Sequence, residues 1–196
     1  MSAHVLRVLY RAPPKAVKAA TAVLEYAPVR ETMSDSMIVF DREQVRFNYR
    51  VAAVILSRGH VLLQTVEGEG WWCLPGGRAE LLEPADEGIR RETREEIGED
   101  VQIGRLLWVG DTFFQHGGLD YHELGLYFLA TLPPASVLPA TPEFRRPELN
   151  GIEMIFQWFP ISELGSVPLY PAFIRKELAS LPDSARYFVS HDSQIG

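Results

Sequence analysis

The apolar positions of the chain fall into short runs separated by turn signals. Met37–Phe40 is a brief apolar run, and Phe47–Leu56 reads as a strand ending in the unbroken stretch Val51–Leu56. Ser57-Arg-Gly-His60 is a turn, and Val61–Val66 is a second strand, which makes a hairpin. Trp71–Leu74 reads as a short strand that runs into Pro75-Gly-Gly77. The period then changes. Ala85, Ile89, Thr93 and Ile97 recur every fourth residue and predict the inward stripe of a helix. Pro84, Asp86 and Glu87 suit its start, and Gly98 its end. Val101–Phe114 and Tyr121–Leu132 predict an antiparallel pair about the turn at His116-Gly-Gly118. Pro133–Asn150 holds five prolines and reads as a loop. Ile155–Phe159 predicts a strand, Pro160–Leu164 a helical turn and Pro171–Leu181 a closing helix. A mixed sheet with few helices, α/β of the α+β type, accommodates this order. A purely parallel sheet would need more crossover helices.

With 196 residues, 46% of them hydrophobic and 23% charged, the chain has ordinary globular composition. A net charge of −7 supplies no broad basic field, so non-specific nucleic-acid binding is not expected. No apolar stretch approaches the roughly 18 residues of a membrane span, and a cytoplasmic location is the default expectation. The lone Cys73 provides neither a disulfide framework nor a zinc cluster and reads as a small buried hydrophobe. Residues 1–35 are basic and acid-poor up to Arg30 and broken by Pro13, Pro14 and Pro28. They are expected to form an arm outside a domain spanning 36–196.

The chemistry concentrates on the predicted helix. Residues three and four apart share a helix face, so Glu92, Glu95 and Glu96 converge within one turn. Three carboxylates this close repel one another unless a positive charge sits among them. A hard divalent cation takes such oxygens, and a backbone carbonyl at the Gly76-Gly77 turn would add another. The bland alternative is a solvated face, with Glu87, Arg91 and Glu95 forming an ordinary salt-bridge ladder.

The spacing of the whole segment favours the metal site. Gly77, Glu83, Arg91, Glu92, Glu95, Glu96 and Gly98 fall in register with the box of the Nudix hydrolase family, which this segment resembles. Seven such matches arise by chance less than about once in 10⁷ starts. Thr93 and Glu99 depart from it, standing where the family has hydrophobic residues. Similarity extends over about residues 47–165, and implies a Nudix-like α/β/α sandwich with a mixed β-sheet.

The resemblance implies Glu92, Glu95 and Glu96 as metal ligands with the Gly76 carbonyl, and Glu92 as the group nearest to a base. Arg91 and Glu83 would brace the carboxylates. Glu153 is expected as an extra metal-binding carboxylate, with Glu123 as its competitor. Arg78 is the candidate for a substrate phosphate and Phe114 for a nucleobase, among the aromatics Trp71, Trp72, Phe113 and Phe114. His116 and His122 are weaker acid–base candidates. The cofactor is expected to be Mg2+, with Mn2+ as a substitute, at one to three ions. The expected reaction is attack of water on a diphosphate bond in a nucleoside diphosphate linked to a moiety X. The partner is then a small nucleotide-like molecule, with no nucleic acid and no membrane, and a homodimer stays open. The alternative is a silent Nudix-fold module that senses a nucleotide or sugar nucleotide. Isoprenoid diphosphate isomerisation ranks below it, because Cys73 lies in the strand before the box. The markers of the ADP-ribose, dinucleoside polyphosphate, NADH and coenzyme A subfamilies are missing, so the moiety X is unassigned.

Overall fold

The computed structural model describes residues 36–147 and 153–192. The arm expected over residues 1–35 lies outside the described residues. In chain order the elements are β1 (Val39–Arg42), β2 (Val45–Ser57), β3 (His60–Val66), β4 (Gly76–Arg78), α1 (Ala85–Glu96), β5 (Gln102–His116), β6 (Leu119–Thr131), β7 (Glu143–Pro147), β8 (Glu153–Pro160), α2 (Ile174–Glu177) and β9 (Arg186–His191). Two 3-10 turns, Leu138–Ala140 and Ile161–Ser166, precede β7 and follow β8.

The strands form one mixed sheet in the order β7-β8-β3-β2-β6-β5-β9, with β1 and β4 also paired to β2. β2 runs parallel to β6, and β5 parallel to β9; the other pairs are antiparallel. One edge of β2 carries β1 on Val45–Asn48, β4 on Arg50–Ala52 and β3 on Leu56–Ser57. Its other edge follows β6 from Val45 to Ile55.

Strand alternation divides β2 between two cores. Val51, Ala53 and Ile55 pack with Leu62 under Ile89 and Ile97 of the α1 segment. Ala52 and Val54 face the opposite way, against Leu164, Leu169, Ile174 and Leu178 of the C-terminal segment. Coverage on both faces explains why Val51–Leu56 reads as unbroken apolar sequence. Ile89 is fully buried, and truncating such a side chain to Ala costs about 2–5 kcal/mol.

α1 starts after Pro84 and runs to Glu96, with Ile97 as its C-cap and Gly98 beyond at φ +74°. Thr93 is fully buried, and its hydroxyl donates to the Ile89 carbonyl at 2.8 Å, which satisfies the one polar group it brings inward. Val101 is also fully buried in this core and supplies the apolar contact that Glu99 does not.

The C-terminal third differs from expectation. The closing helix over Pro171–Leu181 reduces to the single turn of α2, and β9 follows it. The proline-rich segment holds β7, which pairs with β8 at the edge of the sheet. Trp71–Leu74 makes only isolated bridges, Gln64 to Cys73 and Trp72 to Leu169, and the strand β4 begins later, at Gly76. Among the described residues no helix is long and apolar enough to cross a membrane.

Candidate active site

The turn into α1 is built around Arg91. Its Nε and Nη2 donate to the two oxygens of Glu83 at 2.9 and 3.0 Å. Nη1 donates to Glu92 at 2.8 Å and lies 3.4 Å from Glu95, while Nη2 also reaches the Arg78 carbonyl at 3.1 Å. One guanidinium thus ties the helix to the loop before it and to β4, using the planar fork that suits carboxylates. Glu83 is held below the ordinary carboxylate range by its hydrogen bond from Arg91.

The glycines at the turn provide space. A Cβ on Gly77 would run into the Glu92 carboxylate, so Glu92 is seated where a side chain would otherwise stand. Gly76 lies at φ +135°, and a Cβ there would strike the backbone of Val51 and Ala52. The Gly76 N–H donates to Glu96 at 2.9 Å, and Gln64 Nε2 donates to its other oxygen at 3.0 Å. Burial, reinforced by the negative charge of Glu92, pushes the Glu96 carboxyl up to about 8. Burial also raises Glu92, against the pull of Arg91.

These groups line a cavity of about 380 Å³ that Gly76, Gly77, Arg78, Glu92 and Glu96 share with Arg50, Gln64 and Met154. The structure therefore brings together Gly76, Gly77, Arg78, Glu92 and Glu96, with Arg91 and Glu83 behind them. Glu95 is outside this lining, 62% exposed and turned toward Arg91. Glu153 does not join them either. It opens β8 and pairs with Arg145 at 3.0 Å, beside Glu67 on the same guanidinium. Among the described residues no three metal-ligating side chains already converge.

The remaining donors fit a hard divalent cation. Glu92 and Glu96 offer hard oxygen ligands in a partly desolvated site, where burial raises both carboxyls. Gln64 Oε1 beside them is buried with no hydrogen-bond partner. The Gly76 carbonyl accepts Arg50 Nη2 at 2.7 Å and, more weakly, Gln64 Nε2 at 3.4 Å.

A second cavity of about 240 Å³ adjoins the first through Asn48, Arg50, Trp71, Cys73 and Arg78. It continues to Thr112, Phe114, His116, Tyr121, Glu123 and Tyr170. Phe114 stacks on Tyr121 with centroids 4.8 Å apart, and His116 meets Trp71 edge-on at 6.0 Å. Of the four aromatics considered from sequence, Trp71 and Phe114 line this cavity. Trp72 packs against Phe159, and Phe113 lies on the other face of β5, stacked on His122 and His191. His122 is bonded to Asp111 at 2.6 Å on that face. Cys73 is half-buried at the junction of the cavities, not sealed in the core, and burial pushes its thiol up to about 11.

Arg50, Gln64 and Asn48 were not anticipated from sequence. Asn48 and Arg50 alternate with Phe47 and Tyr49 ahead of the apolar run Val51–Leu56, and Gln64 interrupts the apolar run Val61–Leu63. That interruption is the available signal, because a buried strand admits a polar side chain only with partners.

A family model of the NUDIX domain matches residues 46–181, and the chain belongs to the NUDIX family. A nucleoside triphosphatase, NudI, from Klebsiella pneumoniae (strain 342) is 36% identical over 61 residues, 29% of this chain and 43% of that protein. The chain thus matches less than half the length of that relative. Among solved structures, the MutT protein from Bacillus halodurans aligns with a TM-score of 0.51 at 17% identity, over 74% of this chain and 90% of the other. A MutT NUDIX hydrolase from Burkholderia pseudomallei gives 0.51 at 23% identity, over 67% and 96%. These likenesses agree on the fold.

Proposed function

We propose that this chain hydrolyses a diphosphate bond in a nucleoside diphosphate linked to another moiety, with Mg2+, or Mn2+ in its place. The observation that carries the reading is the pairing of two carboxylates across the glycine turn. Glu92 sits over Gly77 under the Arg91 brace, and Glu96 is fixed by the Gly76 N–H. Glu92, Glu96 and the Gly76 carbonyl would hold the metal, with Glu95 joining from its exposed position. Bound there, the ion supplies positive charge to the diphosphate and acidifies the attacking water.

The side chains do the rest. Arg78 and Arg50, at the junction of the two cavities, neutralise substrate phosphate oxygens. Glu92, its carboxyl raised by burial, orients the water and takes its proton. A new P–O bond forms as the bridging P–O bond breaks, and the released phosphate carries away the bridging oxygen and its electron pair. The Glu153–Arg145 pair argues against a ligand role for Glu153, and Glu153→Gln tests this directly.

The experiment is a phosphate-release screen over nucleoside triphosphates, sugar nucleotides, ADP-ribose and dinucleotides, with and without Mg2+. Triphosphates come first because of the NudI match. Glu96→Gln and Glu95→Gln run beside the natural chain. Turnover that needs Mg2+ and falls sharply in Glu96→Gln supports the reading. Turnover surviving both substitutions, or none on any substrate, overturns it, the latter in favour of a sensing module.

A further inference from the structure

Glu123 is a buried carboxylate that the proposed hydrolysis does not use. It is 7% exposed yet lines the second cavity. Asn48 Nδ2 donates to its Oε2 at 2.6 Å, and Asn48 Oδ1 in turn accepts Arg78 Nε at 2.9 Å. Among the described residues Asn48 is its side-chain hydrogen-bond donor, with the charges of Arg50 and Arg78 also acting on it; a carboxylate offers about four lone-pair positions, so acceptor capacity remains toward the cavity. Burying a charge in this way is costly unless a donor completes its shell.

Strand register gives the position of Glu123 along the cavity. Arg50 stands opposite Arg78 on β4, next to the Gly76-Gly77 turn. Two residues back along β2, Asn48 pairs with Glu123, which pairs with Thr112 on β5. Two residues further, Arg46 pairs with Tyr121, which pairs with Phe114. Residues two apart share a sheet face and are separated by roughly 6.6 Å. The face therefore presents Arg50 and Arg78, then a buried carboxylate with its amide, then the stacked rings of Phe114 and Tyr121, where Arg46 is already paired with Asp41. A nucleotide has the same order: phosphates, a sugar bearing vicinal hydroxyls, and a flat base. Matched to that order, the carboxylate corresponds to the sugar, whose hydroxyls are hydrogen-bond donors.

We propose that Glu123, positioned by Asn48, accepts the sugar hydroxyls of the substrate and selects ribonucleotides over 2′-deoxyribonucleotides. The inference rests on the nucleotide reading of the site, and its test is binding, not turnover.

Affinities of ADP and 2′-deoxy-ADP, and of UDP and 2′-deoxy-UDP, are measured by calorimetry in chelator. The natural chain is expected to bind the ribo member of each pair about 10- to 100-fold tighter, the value of a hydrogen bond to a charged group. In Glu123→Gln that ratio falls toward about one. Glu123→Asp, which keeps the charge but withdraws it, lowers the ratio too and serves if the Gln variant does not fold. Equal affinity within each pair for the natural chain overturns the proposal whatever the variants do. So does a ratio unchanged in both variants, or affinity that follows the base and ignores the sugar. A chain that prefers ribonucleotides yet turns none over would sink the hydrolysis reading alone.

Discussion

Arg91 and Glu83 meet through two parallel hydrogen bonds, eight residues apart, and so close the loop that leads into α1. Arg91 bonds Glu92 from the same guanidinium, so the pair also sets the carboxylate proposed to activate water. Arg91→Ala leaves Glu83, only 15% exposed, with the Glu80 N–H in place of the guanidinium fork. A loss of about 1–3 kcal/mol is expected, together with a fall in kcat. Arg91→Lys keeps the charge without the fork and is expected to recover part of the stability but little of the rate. Thermal unfolding and steady-state kinetics on the same samples separate the two effects. Equal recovery of both would show that charge alone suffices.

Adjacent glycines should fail in different ways. Gly76→Ala forces a Cβ against the Val51 backbone at a φ of +135°, and the expected outcome is a lower melting temperature. Gly77→Ala meets the Glu92 carboxylate first, a side chain able to move. It should retain most of its stability and lose activity, with weakened Mg2+ dependence. Melting curves and metal titrations of both variants check the contrast.

The metal-free protein should lose stability as pH rises. Glu96 titrates near 8 when folded, against 4.5 for an ordinary glutamate. Between those values the folded state holds the extra proton, so stability falls from about pH 5 to pH 8 and flattens above it. Melting temperatures in chelator across this range should slope downward, and Glu96→Gln should flatten the slope. Added Mg2+ should raise the melting temperature more at pH 8 than at pH 5, because only the ionised carboxylate competes well for the ion.

Phe114→Ala should raise KM more than it lowers kcat. The ring lines the second cavity away from Glu92 and Glu96, and stacking of a base on an aromatic ring is worth about 1–3 kcal/mol. Phe113→Ala, on the opposite face, should leave KM unchanged and serve as the matched control. Equal KM effects from both would place the base elsewhere.

Local rules account for what the sequence made legible. The α1 segment announces itself through Pro84, its four-residue apolar period and Gly98, and β2 through Val51–Leu56, because these signals lie within one element. Long-range pairing was not legible. β7 is flanked by Pro142 and ends on Pro147, residues that read as loop but are tolerated at a sheet edge. β9 takes its identity from β5, more than seventy residues earlier. The site divides similarly. Glu83, Arg91, Glu92 and Glu96 belong to one stretch with a fixed spacing. Asn48, Arg50 and Gln64 arrive from two other strands, and only folding puts them beside Gly76. Glu95 shows the opposite limit, since helical spacing puts it on the right face while Arg91 draws it outward.

β2 serves as the common rail of the molecule, carrying β1, β4 and β3 along one side and β6 along the other. Its even-numbered residues Asn48 and Arg50 face the cavities, and its odd-numbered residues Val51 and Ala53 face the core under α1. Inserting or deleting one residue between Asn48 and Val51 would exchange these sets. Apolar side chains would enter the cavities and a guanidinium would enter the core. A change of length is therefore far costlier anywhere along β2 than in an exposed loop such as Glu67–Gly70, which lies outside this register.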